Sequence, residues 1–242
     1  MSFIEVLNTK VHYIKSGKGK TPVVLLHGWG QNTIMMDPIA KSLEEDFAIY
    51  NIDFLGFGES GLPNYAYGPD DYTKWLKALL DKLEVNNPII VGHSFGGHIA
   101  MRFASKYQTR KLILTGAAGL KPKRYLDYYL KVYTYKLLKR LPFIKRKNVG
   151  STDYQNANGI MKQVFVKVVN SYVNELIKDI KCPTLLIYGN QDLDTPLWMG
   201  KYLEKNIKDA GLVVFENRGH YAYFEEIHRF NNILNHFIKG DK

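Results

Sequence analysis

Short apolar runs alternate with amphipathic stretches along most of the chain. The apolar runs are rich in Val, Ile and Leu and are bounded by glycine, proline or polar residues, as buried strands are. The predicted strands are 23–26, 49–52, 88–91, 111–115, 184–188 and 212–215, after a hairpin near 3–15. The predicted helices lie near 38–45, 70–83, 97–107, 196–206 and 223–238. This alternation predicts an α/β fold with a mostly parallel central sheet flanked by helices.

The alternation is interrupted between residues 116 and 184. This interval is too long for a plain crossover, and its portions 125–141 and 159–177 have helical patterns. We therefore expect a helical cap over the carboxyl edge of the sheet, where it would exclude water and contact substrate. The expected division is a core domain of residues 1–118 and 182–242 with an inserted cap of residues 119–181.

Composition favours one large domain. The chain has 242 residues and is 45% hydrophobic, enough for a full core without disulfides. Its single cysteine, Cys182, has no partner for an internal disulfide, and we expect it to be inert packing. Residues 1–5 do not resemble a signal peptide, and no apolar stretch approaches the ~20 residues that span a bilayer. We expect a cytoplasmic protein that is not transmembrane.

The most informative segment is Gly92-His93-Ser94-Phe95-Gly96-Gly97, between a predicted strand and a predicted helix. A serine at such a sharp turn has a strained backbone and an exposed hydroxyl, as in a nucleophile elbow. Glycine is favoured at 92 and 96 because a side chain there would collide with the adjoining helix or strand. Ser94 is therefore our candidate nucleophile.

A serine nucleophile needs a histidine base and a carboxylate that orients it. Asp192 follows the strand 184–188, and His220 follows the strand 212–215, which is the expected chain order. We assign Asp192 as the acid and His220 as the base. Asp194 is an alternative acid, but the following Thr195-Pro196 favours a structural role for it near a helix start. Packing or solvated roles are expected for the remaining candidates, His12, His93, His98, His228 and His236.

The oxyanion formed on attack needs two N–H donors. The Phe95 amide lies at a helix start, and the glycines of His27-Gly28-Trp29-Gly30 let the backbone approach a bound carbonyl closely. We expect Trp29 and Phe95 to supply these donors. The serine turn, the acid loop, the histidine loop and the loop 27–30 then all lie at the carboxyl edge of one sheet, where α/β proteins bind ligands.

The chain resembles the α/β-hydrolase superfamily along nearly its whole length. The segments that carry the resemblance are 27–30, 92–97, 189–196, 219–220 and Asp53-Phe54-Leu55-Gly56-Phe57-Gly58-Glu59-Ser60. The resemblance is nearest to small single-domain carboxylesterases, including the pimeloyl-carrier-protein methyl ester esterases that share the HGWG opening. It implies ester hydrolysis by Ser94, Asp192 and His220. The stretch 53–60 is interpreted as a structural turn beneath the site.

Most of the net charge is concentrated in the expected cap. Residues 121–147 contain ten basic residues and one acidic residue, a local balance of +9 beside +10 for the whole chain. This segment could attract an acidic carrier protein, an anionic surface or a carboxylate-bearing substrate, or it could be a solvated helix face. No nucleic-acid-binding module accompanies it.

The same triad serves several reactions. Carboxylic ester hydrolysis is our main hypothesis, while thioesters, lactones, amides and some carbon–carbon bonds are alternatives, as is a ligand-binding protein with a silent triad. The expected substrate is a small ester or acyl compound of low polarity, contacted by Trp29, Phe95, Leu193 and Tyr221. The chemistry requires neither a metal nor an organic cofactor.

Overall fold

A computed structural model describes residues 2–122 and 151–240. Its strands are β1 Ser2–Val6, β2 Thr9–Ser16, β3 Pro22–Leu26, β4 Ala48–Ile52, β5 Ile89–His93, β6 Lys111–Thr115, β7 Thr184–Gly189 and β8 Ala210–Phe215. They form one sheet in the order β1-β2-β4-β3-β5-β6-β7-β8. The pairs β1–β2 and β2–β4 are antiparallel, and the remaining pairs are parallel. The predicted mostly parallel sheet is confirmed.

Helices cover both faces of this sheet. They are α1 Thr33–Leu43, α2 Pro69–Lys82, α3 Phe95–Ala104, α4 Thr152–Asn156, α5 Ile160–Val169, α6 Leu197–Asn206, α7 Ala222–Glu225 and α8 Ile227–Lys239, with a 3₁₀ turn at Ile177–Asp179. Along β3, Val24 and Leu26 join the core under α2, α3 and α6, while Val23 and Leu25 join the core under α1 and α8. This alternation follows from the two-residue period of a strand. Both faces of β3 are therefore buried.

Two predicted helix boundaries are wrong. Helix α1 begins at Thr33 rather than near residue 38, because the Asn32 side chain accepts a hydrogen bond from the Ile34 N–H at 3.0 Å. Pro38 then lies inside the helix. The predicted helix 223–238 is divided at Glu226, whose φ of −121° and ψ of 47° are not helical. Proline and apolar spacing alone do not reveal such caps and breaks.

Only part of the expected cap lies within the described residues, since 125–141 falls outside them. The predicted helix 159–177 extends only over α5, and α4 was not predicted. The chain leaves the helix after Val169, because the Tyr172 carbonyl accepts from the buried Arg102 guanidinium at 3.0 Å and the Val173 N–H donates to Gly119 at 2.9 Å. Arg102 thus fastens the end of this segment to α3.

Helix α5 packs directly on the core domain. Met161 and Val164 belong to the same apolar cluster as Leu26, and the Lys167 ammonium donates to the Ala66 carbonyl at 2.7 Å. Within residues 2–122 and 151–240, no helix has both the length and the apolar content needed to cross a membrane.

Candidate active site

Ser94 lies at a sharp turn between β5 and α3. Its φ of 50° and ψ of −110° are strained for a residue with a side chain. The backbone is held there because the Ser94 N–H donates to the Thr115 carbonyl at 3.1 Å, and the Ser94 carbonyl accepts from the His98 and Ala118 amides. The side chain is half-buried at the carboxyl edge of the sheet. This is the geometry that the sequence predicts for an elbow.

The glycines around Ser94 have the predicted steric cause. A Cβ added at Gly92 would lie 2.8 Å from the backbone of Gly96, and one at Gly96 would lie 2.2 Å from the Leu26 carbonyl oxygen. Real Cβ atoms do not approach backbone so closely, so larger residues would push α3 away from the sheet. The tight turn depends on both glycines.

Asp192 and His220 form a direct pair. The loop after β7 carries Asp192, and the loop after β8 carries His220. Nδ1 of His220 lies 2.8 Å from Oδ2 of Asp192. The Asp192 side chain is fully buried, whereas 12% of the His220 side chain is exposed. Among residues 2–122 and 151–240, no hydrogen bond to Nε2 of His220 is found, and both hydrogen-bonding contacts of the ring involve Nδ1.

The carboxylate of Asp192 is held by residues of its own loop. Its Oδ1 accepts from the Asp194 N–H at 2.9 Å and from the Thr195 N–H at 2.8 Å, and its Oδ2 accepts from the Thr195 hydroxyl at 2.7 Å. Burial acts to raise the pKa of Asp192, but His220 and the Thr195 donors outweigh burial and lower it. Asp192 is thus an ionised acceptor. Sequence reasoning missed Thr195, although an Asp with Thr three residues later is a common turn pattern.

Ser94 and the Asp192–His220 pair are neighbours. Among the described residues, the structure records no direct hydrogen bond between the Ser94 hydroxyl and His220. Their proximity is shown by Thr115 and Gly116, which are adjacent in the chain. Thr115 accepts the hydrogen bond from the Ser94 N–H, and a Cβ at Gly116 would lie 3.3 Å from Nδ1 of His220 and 3.4 Å from Oδ2 of Asp192. Hydrogen bonds of this kind often tighten only when substrate binds.

The expected oxyanion donors belong to two adjacent elements. The Gln31 N–H donates to the Gly28 carbonyl at 3.2 Å, and Gly30 has a φ of 71°, so Trp29 lies within a turn that does not use its own N–H. Phe95 is the first residue of α3, where an N–H has no partner within the helix. The Gln31 side chain fixes the turn by accepting from the Gly28 N–H at 2.9 Å.

His27 holds this loop from beneath. Burial lowers the pKa of His27 to about 4, so the ring is neutral. We assign the proton to Nδ1, which lies 2.7 Å from the Gly28 carbonyl, because Nε2 accepts from the Phe54 N–H at 3.1 Å. A neutral imidazole thus joins the loop after β3 to the loop after β4.

A cavity of about 710 Å³ lies next to the turn that contains Trp29, and Tyr221, the neighbour of His220, also lines it. Its described lining combines apolar residues with a few polar ones: Trp29, Gly30, Gln31, Gly56, Phe57, Leu62, Asp153, Asn156, Ala157, Asn158, Gly159, Ile160, Met161 and Tyr221. Trp29 packs edge-on against Phe95 and Phe165, with ring centroids 5.6 and 5.1 Å apart. The cavity thus lies between the core loops and the α4–α5 segment.

The four expected substrate contacts are placed differently. Trp29 and Tyr221 line the cavity, whereas Phe95 is 3% exposed and packs beneath Trp29. Leu193 is 91% exposed and is not among the lining residues. Sequence reasoning placed all four near the site because they adjoin its motifs, but side-chain direction decides which of them reach the cavity.

The remaining polar candidates have structural contacts. Asp53 binds His12 Nδ1 at 2.7 Å, the Thr33 N–H at 2.7 Å and the Glu59 N–H at 2.9 Å, so it fixes the predicted turn. The ring of His98 is buried and accepts from Arg102 at 3.1 Å. His228 and His236 are exposed on α8.

Asp194 does not cap the next helix, whose N-cap is Pro196. Its carboxylate is exposed and, with Asp192 and His220, forms a group whose ligand atoms lie within 4.8 Å of one another. Both oxygens of Asp192 are already engaged by Thr195, His220 and the Asp194 amide. This arrangement fits a hydrogen-bonded acid and base better than a metal site.

A second cavity, of about 370 Å³, lies away from this edge and is lined by residues 104–110 together with Asp179, Lys181 and Cys182. Burial raises the pKa of the Cys182 thiol to about 11, so the thiolate is disfavoured. This agrees with the packing role expected for Cys182.

The chain is similar in sequence and in fold to known hydrolases. Residues 23–233 match the alpha/beta hydrolase family. The AB hydrolase superfamily protein YisY of Bacillus subtilis is 28% identical over 93% of this chain and 98% of its own length. The 2-hydroxy-6-oxo-2,4-heptadienoate hydrolase of Pseudomonas putida is 26% identical over 97% of this chain and 94% of its own. An esterase from Exiguobacterium antarcticum superposes with a TM-score of 0.80 at 22% identity, covering 99% of both chains, a likeness of fold alone.

Proposed function

The chain belongs to the alpha/beta hydrolase family, and on that premise we propose that it hydrolyses carboxylic esters through an acyl-enzyme intermediate. In this proposal Ser94 is the nucleophile, His220 the general base and Asp192 the orienting acid. The observation that carries it is the 2.8 Å contact between His220 and the buried Asp192, beside a strained serine at the same sheet edge. Two loops and a turn far apart in sequence supply these groups.

The proposed reaction begins when Nε2 of His220 removes the Ser94 hydroxyl proton as Oγ bonds to the ester carbonyl carbon. The Trp29 and Phe95 amides stabilise the oxyanion. The tetrahedral intermediate then expels the alcohol, which takes the proton from His220. Water repeats the sequence on the acyl-enzyme, releasing the carboxylic acid and restoring Ser94. Asp192 stays ionised and stabilises the imidazolium at each stage.

The second candidate is hydrolysis of a carbon–carbon bond next to a ketone. It is favoured by the relative from Pseudomonas putida, which is similar over nearly the whole chain and is named for a heptadienoate substrate. A dienoate is an anion, so this candidate requires a site that accepts a carboxylate. The described lining of the cavity provides no cationic side chain. We therefore place ester hydrolysis first.

The test is a substrate screen with a matched variant. Purified protein is assayed on p-nitrophenyl esters of increasing chain length, a thioester, a lactone and 2-hydroxy-6-oxo-2,4-heptadienoate, the substrate in the relative's name. We expect ester turnover that Ser94→Ala reduces by several orders of magnitude without lowering thermal stability. Turnover of the dienoate with no ester hydrolysis would replace the first candidate with the second. Ester turnover that survives the substitution would contradict the mechanism.

The basic segment and the location remain proposals. We expect charge reversal at Lys139, Arg140, Lys145 and Arg146, which lie outside the described residues, to weaken binding to an acidic carrier protein or to anionic vesicles. Unchanged binding would exclude this segment from the function. The expected cap of residues 119–181 and the cytoplasmic location also stay predictions.

A further inference from the structure

The cavity lined by Trp29 and Tyr221 has an uneven distribution of charge. Its floor near the oxyanion turn is formed by Trp29 and Phe57, and its polar residues are mostly neutral amides. Among the described lining residues, Asp153 carries the only formal charge at neutral pH. A side chain from α4 therefore sets the charge of a cavity whose floor belongs to the core domain.

Asp153 is an exposed residue of α4 that lines the cavity. Ser151 caps α4 by accepting from the Tyr154 N–H at 3.3 Å, and Asp153 lies in the first turn that follows. The aromatic ring of Tyr154 packs on Phe165 of α5, with ring centroids 6.0 Å apart. The cap and the ring contact stabilise α4 and its packing on α5, and both helices contribute residues to the cavity lining.

The charges that face Asp153 come from the two loops that carry the acid and the base. Burial and the nearby Asp194 carboxylate raise the pKa of Asp153, while His220 acts to lower it. Asp194 also lies within 4.8 Å of the His220 ring nitrogen. The carboxylates of Asp153 and Asp194 thus both contribute negative charge near His220, in addition to the buried Asp192.

We propose that Asp153 sets the substrate class of this site, favouring acyl groups that are neutral or cationic at their far end and disfavouring those that end in a carboxylate. The inference rests on the ester hydrolysis proposed above. An acyl chain whose carbonyl contacts the Trp29 amide extends along the cavity toward α4, where an anionic end meets the Asp153 carboxylate. Like charges repel more strongly where they are partly desolvated than in bulk water.

The positive charge of the basic segment, residues 121–147, predicts the opposite substrate preference. Residues 123–147 of this segment lie outside the described part of the chain, and their positive charge would favour carboxylate-bearing substrates if it acted on this cavity. The substrate preference of the protein therefore decides between Asp153 and the basic segment.

The experiment compares three esters of matched length: p-nitrophenyl caproate, mono-p-nitrophenyl adipate and p-nitrophenyl aminocaproate. They are assayed at low salt and about pH 8, where carboxylates are ionised and amines are protonated. We expect kcat/KM for the adipate to be about tenfold below that for the caproate, and the aminocaproate to be at least equal to the caproate. Added salt should reduce the difference.

Variants of Asp153 test whether this side chain causes the difference in kcat/KM between the adipate and the caproate. Asp153→Asn should raise the adipate-to-caproate ratio of kcat/KM about three- to tenfold, and Asp153→Lys should raise it further. Asp81→Asn is the matched control, because Asp81 pairs with Lys77 near the end of α2, at the opposite edge of the sheet, and should leave the ratio unchanged.

Three results would overturn the inference, and failure of the inference alone is distinguishable from failure of the proposed function. If the wild-type protein hydrolyses the caproate and the adipate equally well, or if Asp153→Asn leaves their ratio unchanged, Asp153 does not select substrates although the ester function stands. If none of the three esters is hydrolysed, the proposed function fails and the inference fails with it.

Discussion

The imidazole of His93 lies 3.1 Å, through Nε2, from the backbone carbonyl oxygen of His220. The residue before the proposed nucleophile therefore binds the backbone of the proposed base, and one contact links the end of β5 to the loop after β8. Burial, assisted by the charge of His220, lowers the pKa of His93 to about 3, so the ring is neutral and has one N–H. We assign that proton to Nε2, since its contact is shorter than the 3.3 Å between Nδ1 and the Gln31 side-chain oxygen.

His93 is thus expected to act as a positioning residue. His93→Leu removes the donor to the His220 carbonyl, so the position of the His220 imidazole should be less well defined. We expect kcat to fall about tenfold or more with little change in KM. His93→Gln places an amide N–H where Nε2 was and should recover most of kcat. Steady-state kinetics of both variants, with melting temperatures to follow stability, checks this. Equal kcat in the wild type and the leucine variant would show that the contact does not position the base.

Thr195 is expected to support the acid. Thr195→Val keeps the shape of the side chain but removes the hydroxyl that donates to Oδ2 of Asp192, which raises the pKa of Asp192 and loosens its bond to His220. We expect kcat/KM to fall about tenfold. Thr195→Ser, which retains the hydroxyl, should restore it. If Thr195→Val and Thr195→Ser change kcat/KM equally, the hydrogen bond from the hydroxyl does not support the acid.

Three buried histidines should make the fold sensitive to acid. Burial lowers the pKa of His27 to about 4 and those of His93 and His98 to about 3, whereas in the unfolded chain each titrates near ~6.5. Between these values the unfolded state binds protons that the folded state does not. Stability from these groups is therefore fully present above about pH 6.5. It falls by up to about 1.4 kcal/mol per histidine for each pH unit below that, until the folded pKa is reached.

Urea unfolding between about pH 7.5 and about pH 4.5 measures this slope. His98→Gln retains an acceptor for Arg102 but does not titrate, so it should reduce the slope by about a third. His228→Gln, on the exposed face of α8, is the control and should not change it. An unfolding free energy that does not vary below about pH 6.5 would contradict neutral burial of these rings.

The sequence predicts the elbow and the sheet well because their causes are local. Apolar runs specify strands that are buried on both faces, and the need for glycine at 92 and 96 follows from close backbone contacts that any such turn creates. The convergence of serine, acid and histidine follows from the way parallel strands bring their carboxyl ends to one edge.

The sequence does not predict contacts that depend on distant packing. The Thr195 hydroxyl lies 3.0 Å from the carbonyl oxygen of Gly116, which is 79 residues away along the chain. Asp153 belongs to a short helix whose weak apolar pattern gave no prediction, and its place in the cavity arises from the packing of α4 and α5 on the core. Leu193 adjoins the acid in sequence and yet faces solvent. Adjacency along the chain is therefore a poor guide to cavity lining.

The most direct measurement is labelling by a fluorophosphonate, which reacts only with a serine activated by a neighbouring base. Intact-mass analysis and peptide mapping of the native protein should show one adduct, on Ser94. Ser94→Ala should abolish the adduct, and His220→Ala should slow its formation by orders of magnitude while the protein stays folded. Failure of the native protein to react, or an adduct that forms equally fast without His220, would contradict the proposed triad.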